Sequence, residues 1–238
     1  MLQKNNLYKF STTRINVFSF NADSSGSMRD DRRNMIDGLE SFKKSFENFS
    51  EANSIAVALN TFDNDYYPSA FRNISEFRTD YYPSGGTALY HSIVQGANDL
   101  LEYIQEVILR NNCIPRATFI VLSDGMSEYD KDTEENAKKA IAKLNKNGVT
   151  TVFVAFGRSI TAQFGSKLGF VATRDINDRS ALTTFMGEEL SRSCKEQSRS
   201  MKSLGAEFFS QAAKNSQSAG YSAKASQVMD DEDWFEEV

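Results

Sequence analysis

The run Ala117-Thr118-Phe119-Ile120-Val121-Leu122-Ser123 is almost wholly apolar. A strand with no polar face must be covered on both sides, which commits the chain to a sheet held between layers. Residues 149–156 (VTTVFVAF) have the same character, and residues 15–22 (INVFSFNA) and 54–62 (SIAVALNTF) are rich in β-branched and aromatic types. Helical periods separate these strands. From Arg29 onward Met35, Ile36, Leu39, Phe42, Phe46 and Phe49 recur every three or four residues. Leu89, Ile93, Ala97, Leu100, Leu101, Ile104 and Ile108 form the apolar face of a long second helix. Asp132, three residues before Glu135, predicts a capped start for a helix that ends near Gly148. A weaker strand at 169–173, a last helix from about Asp178 to Arg192, and a hairpin of Ala70–Phe77 back onto 54–62 complete the pattern. The fold class this predicts is α/β: a mostly parallel sheet with one antiparallel edge and helices on both faces.

In such sheets ligands bind beyond the carboxyl ends of the strands, so the loops after strands carry the functional weight. Three of them hold hard-oxygen groups: Asp23-Ser24-Ser25-Gly26-Ser27-Met28, Gly85-Gly86-Thr87, and Ser123-Asp124-Gly125. Carboxylates and hydroxyls of this kind suit a hard divalent cation such as Mg²⁺. Alternation of Asp23, Ser25 and Ser27 lets one tight turn aim several oxygens at a point, and glycines give the backbone room to make it. Because hydroxyls are neutral, such a site leaves its cation electrophilic and in search of an external anionic oxygen.

With these motifs the chain resembles the von Willebrand factor A-type domain, over roughly residues 10–192. In that family the metal-ion-dependent adhesion site is Asp-x-Ser-x-Ser, a Thr from a second loop and an Asp from a third. The matching positions are Asp23, Ser25, Ser27, Thr87 and Asp124, and GGTALY and FIVLSDG are also typical wording for the family. The resemblance implies a Rossmann-like three-layer domain over 1–195, followed by a flexible tail over 196–238. It implies a protein–protein interaction module, not an enzyme, that captures an Asp or Glu of a partner protein through Mg²⁺ or Mn²⁺. Hydroxyls would touch the metal directly and the aspartates often through water. Intracellular bacterial or phage members work beside AAA+ ATPases or in stress-response systems with kinases and phosphatases. Asn21-Ala22, where many members carry apolar residues, is a departure.

Other readings follow from what the chain contains. A Mg²⁺-dependent phosphohydrolase is the enzyme alternative, but Ser25 and Ser27 stand where a second acid would be expected. A scaffold subunit with a vestigial metal site is the other. No GxxxxGK[ST] phosphate loop or GxGxxG fingerprint occurs. His91, the single histidine, falls four residues after Thr87 and is read as a helix-surface or packing residue. Asp63-Asn64-Asp65 is read as a hairpin turn in preference to a second cation site. Two cysteines, Cys113 and Cys194, are too few for a disulfide framework, and no run approaches the roughly 18 apolar residues that span a membrane. The expected setting is the cytoplasm, without membrane contact.

A formal charge of −5 shows no basic field for nucleic acid. Six of the 32 acidic residues lie between Asp230 and Glu237; without them 26 acidic face 27 basic residues. Residues 203–228, dominated by Ser, Ala, Gln, Lys and Gly, are expected outside the core. Trp234 and Phe235 within the acidic run suggest a linear partner-binding motif, and the acidic segment offers a route to self-association.

Overall fold

The computed structural model describes residues 14–125, 130–157, 160–178, 180–199, 208–209 and 221–223. The apolar runs become β1 (Asn16–Asp23), β2 (Ile55–Phe62), β5 (Arg116–Ser123) and β6 (Thr150–Phe156), joined by β7 (Ala172–Ile176). These five run parallel in the order β2-β1-β5-β6-β7. Strand order reverses at β1, whose neighbours are β2 and β5, so the crevice that α/β sheets use for ligands opens above the end of β1. Short strands β3 (Tyr66–Tyr67) and β4 (Arg72–Asn73) pair antiparallel with β2, as the hairpin predicted for 70–77 requires. A second antiparallel edge was not expected: β8 (Tyr221–Ala223) pairs with β7.

Alternate residues of each strand point into two cores. Phe18, Phe20 and Ala22 of β1 pack against Met35, Leu39 and Phe42 of α1 (Arg32–Ser45) and against Leu182, Met186 and Leu190. Val17 faces Leu89, Ile93, Ala97 and Leu100 of α2 (Leu89–Asn111), and this second core continues to Ile141 and Leu144 of α3 (Glu134–Lys146). Phe42, Phe46 and Phe49 are all buried, which makes that aromatic stripe core. Among the described residues no helix is long and apolar enough to cross a membrane.

Several boundaries differ from the sequence reading, each for a local reason. The polar loop after β1 closes first as a 3₁₀ turn, Gly26–Arg29, so α1 begins three residues later than the periodicity suggested. Helix α3 is capped by Thr133, whose hydroxyl accepts the Asn136 N–H at 3.2 Å, not by Asp132. An unforeseen short helix, α4 (Ala162–Leu168), precedes β7. Its middle residue Gly165 lies so close to Phe153 that a Cβ there would stand 2.6 Å from the Phe153 side chain. Gly169 ends α4 in a left-handed conformation, φ +93°, which delays the strand expected at 169–173 to 172–176.

The last helical stretch runs α5 (Ala181–Thr184), a π-helical segment Phe185–Leu190, and α6 (Ser191–Arg199). The boundary expected at 195 therefore falls inside a helix. Beyond it, Phe208 and Phe209 are buried at 1% and 4% exposure in the α1 core, with the Phe209 ring 5.9 Å from Phe185. Burying one such ring stabilises by roughly 1.5–3 kcal/mol. Trp234, Phe235 and the acidic run lie outside the described residues.

Candidate metal centre

Asp23 closes β1 and is fully buried. One carboxylate oxygen accepts the Ser25 N–H at 2.9 Å, folding the loop back over the strand end. The other accepts the Ser123 hydroxyl of β5 at 2.7 Å. The Asp23 carbonyl accepts the hydroxyl of Tyr81, itself 1% exposed. Main-chain bonds lash the next loop alongside: Ser84 N–H to the Ser24 carbonyl at 2.6 Å, and Gly26 N–H to the Gly85 carbonyl at 3.0 Å.

The Gly85-Gly86-Thr87 loop is braced from behind by the turn Asp63-Asn64-Asp65. That turn joins β2 to β3 as a hairpin, and it also holds the neighbouring loop. Ser84 Oγ donates to Asp63 Oδ2 at 2.9 Å, Gly86 N–H to Asn64 Oδ1 at 2.8 Å, and Ala88 N–H to the Asp63 carbonyl at 2.6 Å. Gly85 has φ +65°, and a Cβ on it would come within 2.8 Å of Asn64 Nδ2, so both conformation and space demand glycine. Thr87, half-buried, follows directly and leads through Ala88 into α2.

The third loop supplies Asp124, only 6% exposed. Ser27 Oγ donates to Asp124 Oδ1 at 2.9 Å, and Ser25 Oγ lies 2.9 Å from Ser27 Oγ. Asp23, Ser25, Ser27 and Asp124 thus form one linked cluster of oxygens at the carboxyl ends of β1 and β5. Thr87 stands on the loop tied to Gly26.

Burial pushes the Asp23 carboxyl up to about 6, the hydrogen bonds from Ser123 and Ser25 opposing and the charge of Asp124 adding to the rise. A carboxylate this disfavoured in the free protein has a strong electrostatic demand for a cation. Among the described residues no group of three or more His, Cys, Asp and Glu is placed to hold a metal ion, so a cation here would depend on the hydroxyls. The donor chemistry fits a hard divalent ion: oxygens alone, two of them acidic, the rest neutral. Such an ion would supply a concentrated positive charge with coordination positions left for an outside oxygen.

Sequence reasoning missed the group that anchors this end of α2. Asp130 accepts the N–H of Tyr90 at 2.6 Å and of His91 at 2.9 Å, capping α2 from the loop that follows Asp124. His91 itself sits between carboxylates, Nδ1 2.9 Å from Asp132 and Nε2 3.5 Å from Asp65. It is a half-buried polar clasp between α2 and two loops and not a simple surface residue. No local signal could have revealed a cap that comes from a loop some forty residues away. Asp130→Ala is expected to lower stability by about 1–2 kcal/mol through loss of this cap, read as a shifted urea midpoint at unchanged slope. Cys113 and Cys194 are both free, and burial pushes the Cys194 thiol well above its ordinary range.

Compared by sequence, the chain matches no family and no curated protein. Compared by structure, it is similar to the pilus adhesin SpaC of Lactobacillus rhamnosus GG in its open conformation, at TM-score 0.62 and 12% identity, over 78% of this chain and 30% of that one. It is similar to proximal thread matrix protein 1 of the mussel byssus, solved with a zinc-occupied MIDAS motif, at TM-score 0.56 and 14% identity, over 73% and 46%. The ArnB paralog VWA2 of Sulfolobus acidocaldarius aligns at TM-score 0.50 and 17% identity, over 73% and 44%. The chain thus spans less than half the length of each of these proteins. Strand order, the layers and these likenesses agree on the architecture: the chain has the von Willebrand factor A-type fold.

Proposed function

We propose that the chain is a metal-ion-dependent protein-interaction module, in which Asp23, Ser25, Ser27, Thr87 and Asp124 hold Mg²⁺ or Mn²⁺ and the ion takes a carboxylate from a partner. One observation carries this reading: the Ser25–Ser27–Asp124 chain of 2.9 Å contacts laid over the buried Asp23. A carboxylate-poor set of this kind leaves a bound ion with residual positive charge, and an Asp or Glu of a partner is the matching ligand. The role is adaptor-like and non-catalytic, carried out in the cytoplasm. AAA+ ATPases and stress-response kinase or phosphatase systems are the partner classes to test first.

Calorimetric titration with Mg²⁺ and with Mn²⁺, followed by affinity capture with and without chelator, tests this. A partner released by chelator and lost with Ser27→Ala supports capture through the ion. Capture indifferent to both would leave a scaffold with an idle site. Metal-dependent hydrolysis of a generic phosphoester, lost with the same substitution, would replace the reading with the phosphohydrolase.

A further inference from the structure

The amino edge of the sheet, opposite the metal loops, gathers positive charge. Helices that link parallel strands run back to this edge, and their last turns carry Lys43 and Lys44 in α1, Arg110 in α2, and Lys143 and Lys146 in α3. Cations there suit the helix ends. Arg14 and Arg116 stand instead where β1 and β5 begin. Burial first, and then the charge of Arg14, hold Arg116 below its ordinary range, so the two guanidinium groups are neighbours. Arg116 Nη1 donates to the Ser198 carbonyl at 3.2 Å and the Gln197 carbonyl at 3.4 Å, which seats the end of α6 against the start of β5. That end brings Arg199, exposed, and Lys195, half-buried. Two carboxylates stand among these four cations: Glu196, and Glu51, which accepts the Ser198 hydroxyl at 3.2 Å. The cluster is therefore net positive without any bound ion. Two large apolar side chains also lie uncovered at this edge, Leu109 at 85% exposure and Ile114 at 59%, the latter only two residues from Arg116.

The chain carries one segment of opposite charge with apolar anchors, Asp-Asp-Glu-Asp-Trp-Phe-Glu-Glu-Val at 230–238. We propose that this positive edge is the docking surface for the chain's own 230–238 segment. Its carboxylates meet Arg116, Arg199 and Lys195, and Trp234 covers Ile114. The contact needs no metal and stands apart from the metal reading. Topology delivers the segment to this place. Strand β8 passes down β7 from Arg174 to Ala172 and hands the chain on at Ala223, heading for the same edge. Ala172 is level with Val152 of β6, and Val152 with Ile120 of β5, four residues above Arg116. Arg116 is thus three strand spacings across from Ala223 and four residues down, roughly 20 Å away. Seven residue steps lead from Ala223 to Asp230 and extend to about 25 Å. Eleven steps lead to Trp234, and a flexible chain of that length spans roughly 17–20 Å on average. A tether whose mean span matches the gap offers the segment to its own edge at millimolar effective concentration. A second copy at micromolar concentration does not compete with that.

Trp234 is the chain's single tryptophan, so its fluorescence reads the contact directly. Acrylamide quenching of the full chain in EDTA at low salt, beside synthetic peptide 229–238, tests the proposal. The expected quenching constant is at least about threefold below that of the peptide, and equal from low to high micromolar protein. It should rise toward the peptide's value in about 1 M NaCl, where screening acts within about 3 Å. Lys195→Glu/Arg199→Glu should raise it in the same way. Ile114→Ser, which leaves every charge in place, should do so as well, with circular dichroism checking that each variant stays folded. Quenching as fast as in the free peptide overturns the inference. Protection that grows with protein concentration overturns it in favour of a second copy, and protection that appears only with Mn²⁺ overturns it in favour of the metal loops. Protection indifferent to salt or to the substitutions overturns it too. None of these results bears on metal binding, which calorimetry reads separately.

Discussion

Asp23→Ala is expected to reduce Mg²⁺ and Mn²⁺ affinity by at least a hundredfold while the fold persists. The carboxylate lies behind Ser25, Ser27 and Asp124, where its charge cannot be replaced by water. A rise from 3.8 to about 6 means that the ionised form costs the free protein about 3 kcal/mol at neutral pH. The sign follows from linkage. A carboxyl whose folded value is raised contributes stability that is complete below 3.8 and is lost as pH climbs through about 6. Removing it at pH 7.5 relieves that cost but strands the Ser25 N–H and the Ser123 hydroxyl, a penalty of about 1–3 kcal/mol. In chelator at pH 7.5 the variant should therefore unfold close to wild type, and at pH 5 it should be the less stable of the two. Metal separates the two at pH 7.5: at a hundred times the wild-type dissociation constant it stabilises wild type by about 2.7 kcal/mol and the variant by at most about 0.4 kcal/mol. Urea midpoints at two pH values, with and without Mn²⁺, read all four states. Equal metal stabilisation of both proteins would refute the assignment of Asp23.

The second large effect concerns Gly96, inside α2. A Cβ at this position would stand 2.2 Å from Asn21 Nδ2 and 2.8 Å from both Asn21 Cγ and Oδ1. Asn21 has nowhere to go. Its Nδ2 donates to the Ser92 carbonyl at 2.7 Å, and its Oδ1 accepts from Asn60 at 3.1 Å. Asn60 in turn accepts the Ser69 N–H at 2.9 Å. This buried polar strand crosses from β1 to β2 and up into α2, fixing the helix that leads out of the Thr87 loop. Gly96→Ala gains up to about 1 kcal/mol of helix propensity. It must break the Asn21 contacts inside the core, so a net loss of about 2–4 kcal/mol is expected. Asn21→Ala in the same chain should restore part of that loss, because the methyl then has room. A double-mutant cycle by urea unfolding measures the coupling, and additive effects would contradict the close approach.

The same pair shows where sequence reasoning stops. Asn21 is visible as a polar residue in an otherwise apolar strand, and taken alone it looks like a defect. Its partner is a glycine 75 residues later, and nothing in either neighbourhood announces the other. The alternation of strands and helices was legible because a strand covered on both faces leaves an unbroken apolar run, as in Phe119–Leu122. The first and third candidate metal loops were legible because each follows such a run, with Asp23, Ser25 and Ser27 alternating in the first; the Gly85-Gly86-Thr87 loop follows no strand directly and stands just before α2. Asp130 and Tyr81 were not legible, since each acts across the fold, Asp130 on two amides of α2 and Tyr81 through its hydroxyl on the Asp23 carbonyl. Phe208 and Phe209 were hidden by composition: a Ser-, Ala- and Gln-rich stretch reads as solvated, yet these two rings are buried in the α1 core.

The two borders of the sheet carry a consequence for solubility. A parallel sheet that ended in β2 and β7 would present two rows of bare amides and carbonyls, each a template for pairing with any extended chain. Here β3 and β4 occupy the outer side of β2, and β8 occupies that of β7. All three are only two or three residues long, and short border strands offer little purchase to a further strand. A chain cut back before residue 208 would lose β8 and the ring pair together, baring the outer rail of β7. Such a fragment would trade a discrete particle for indiscriminate clumping.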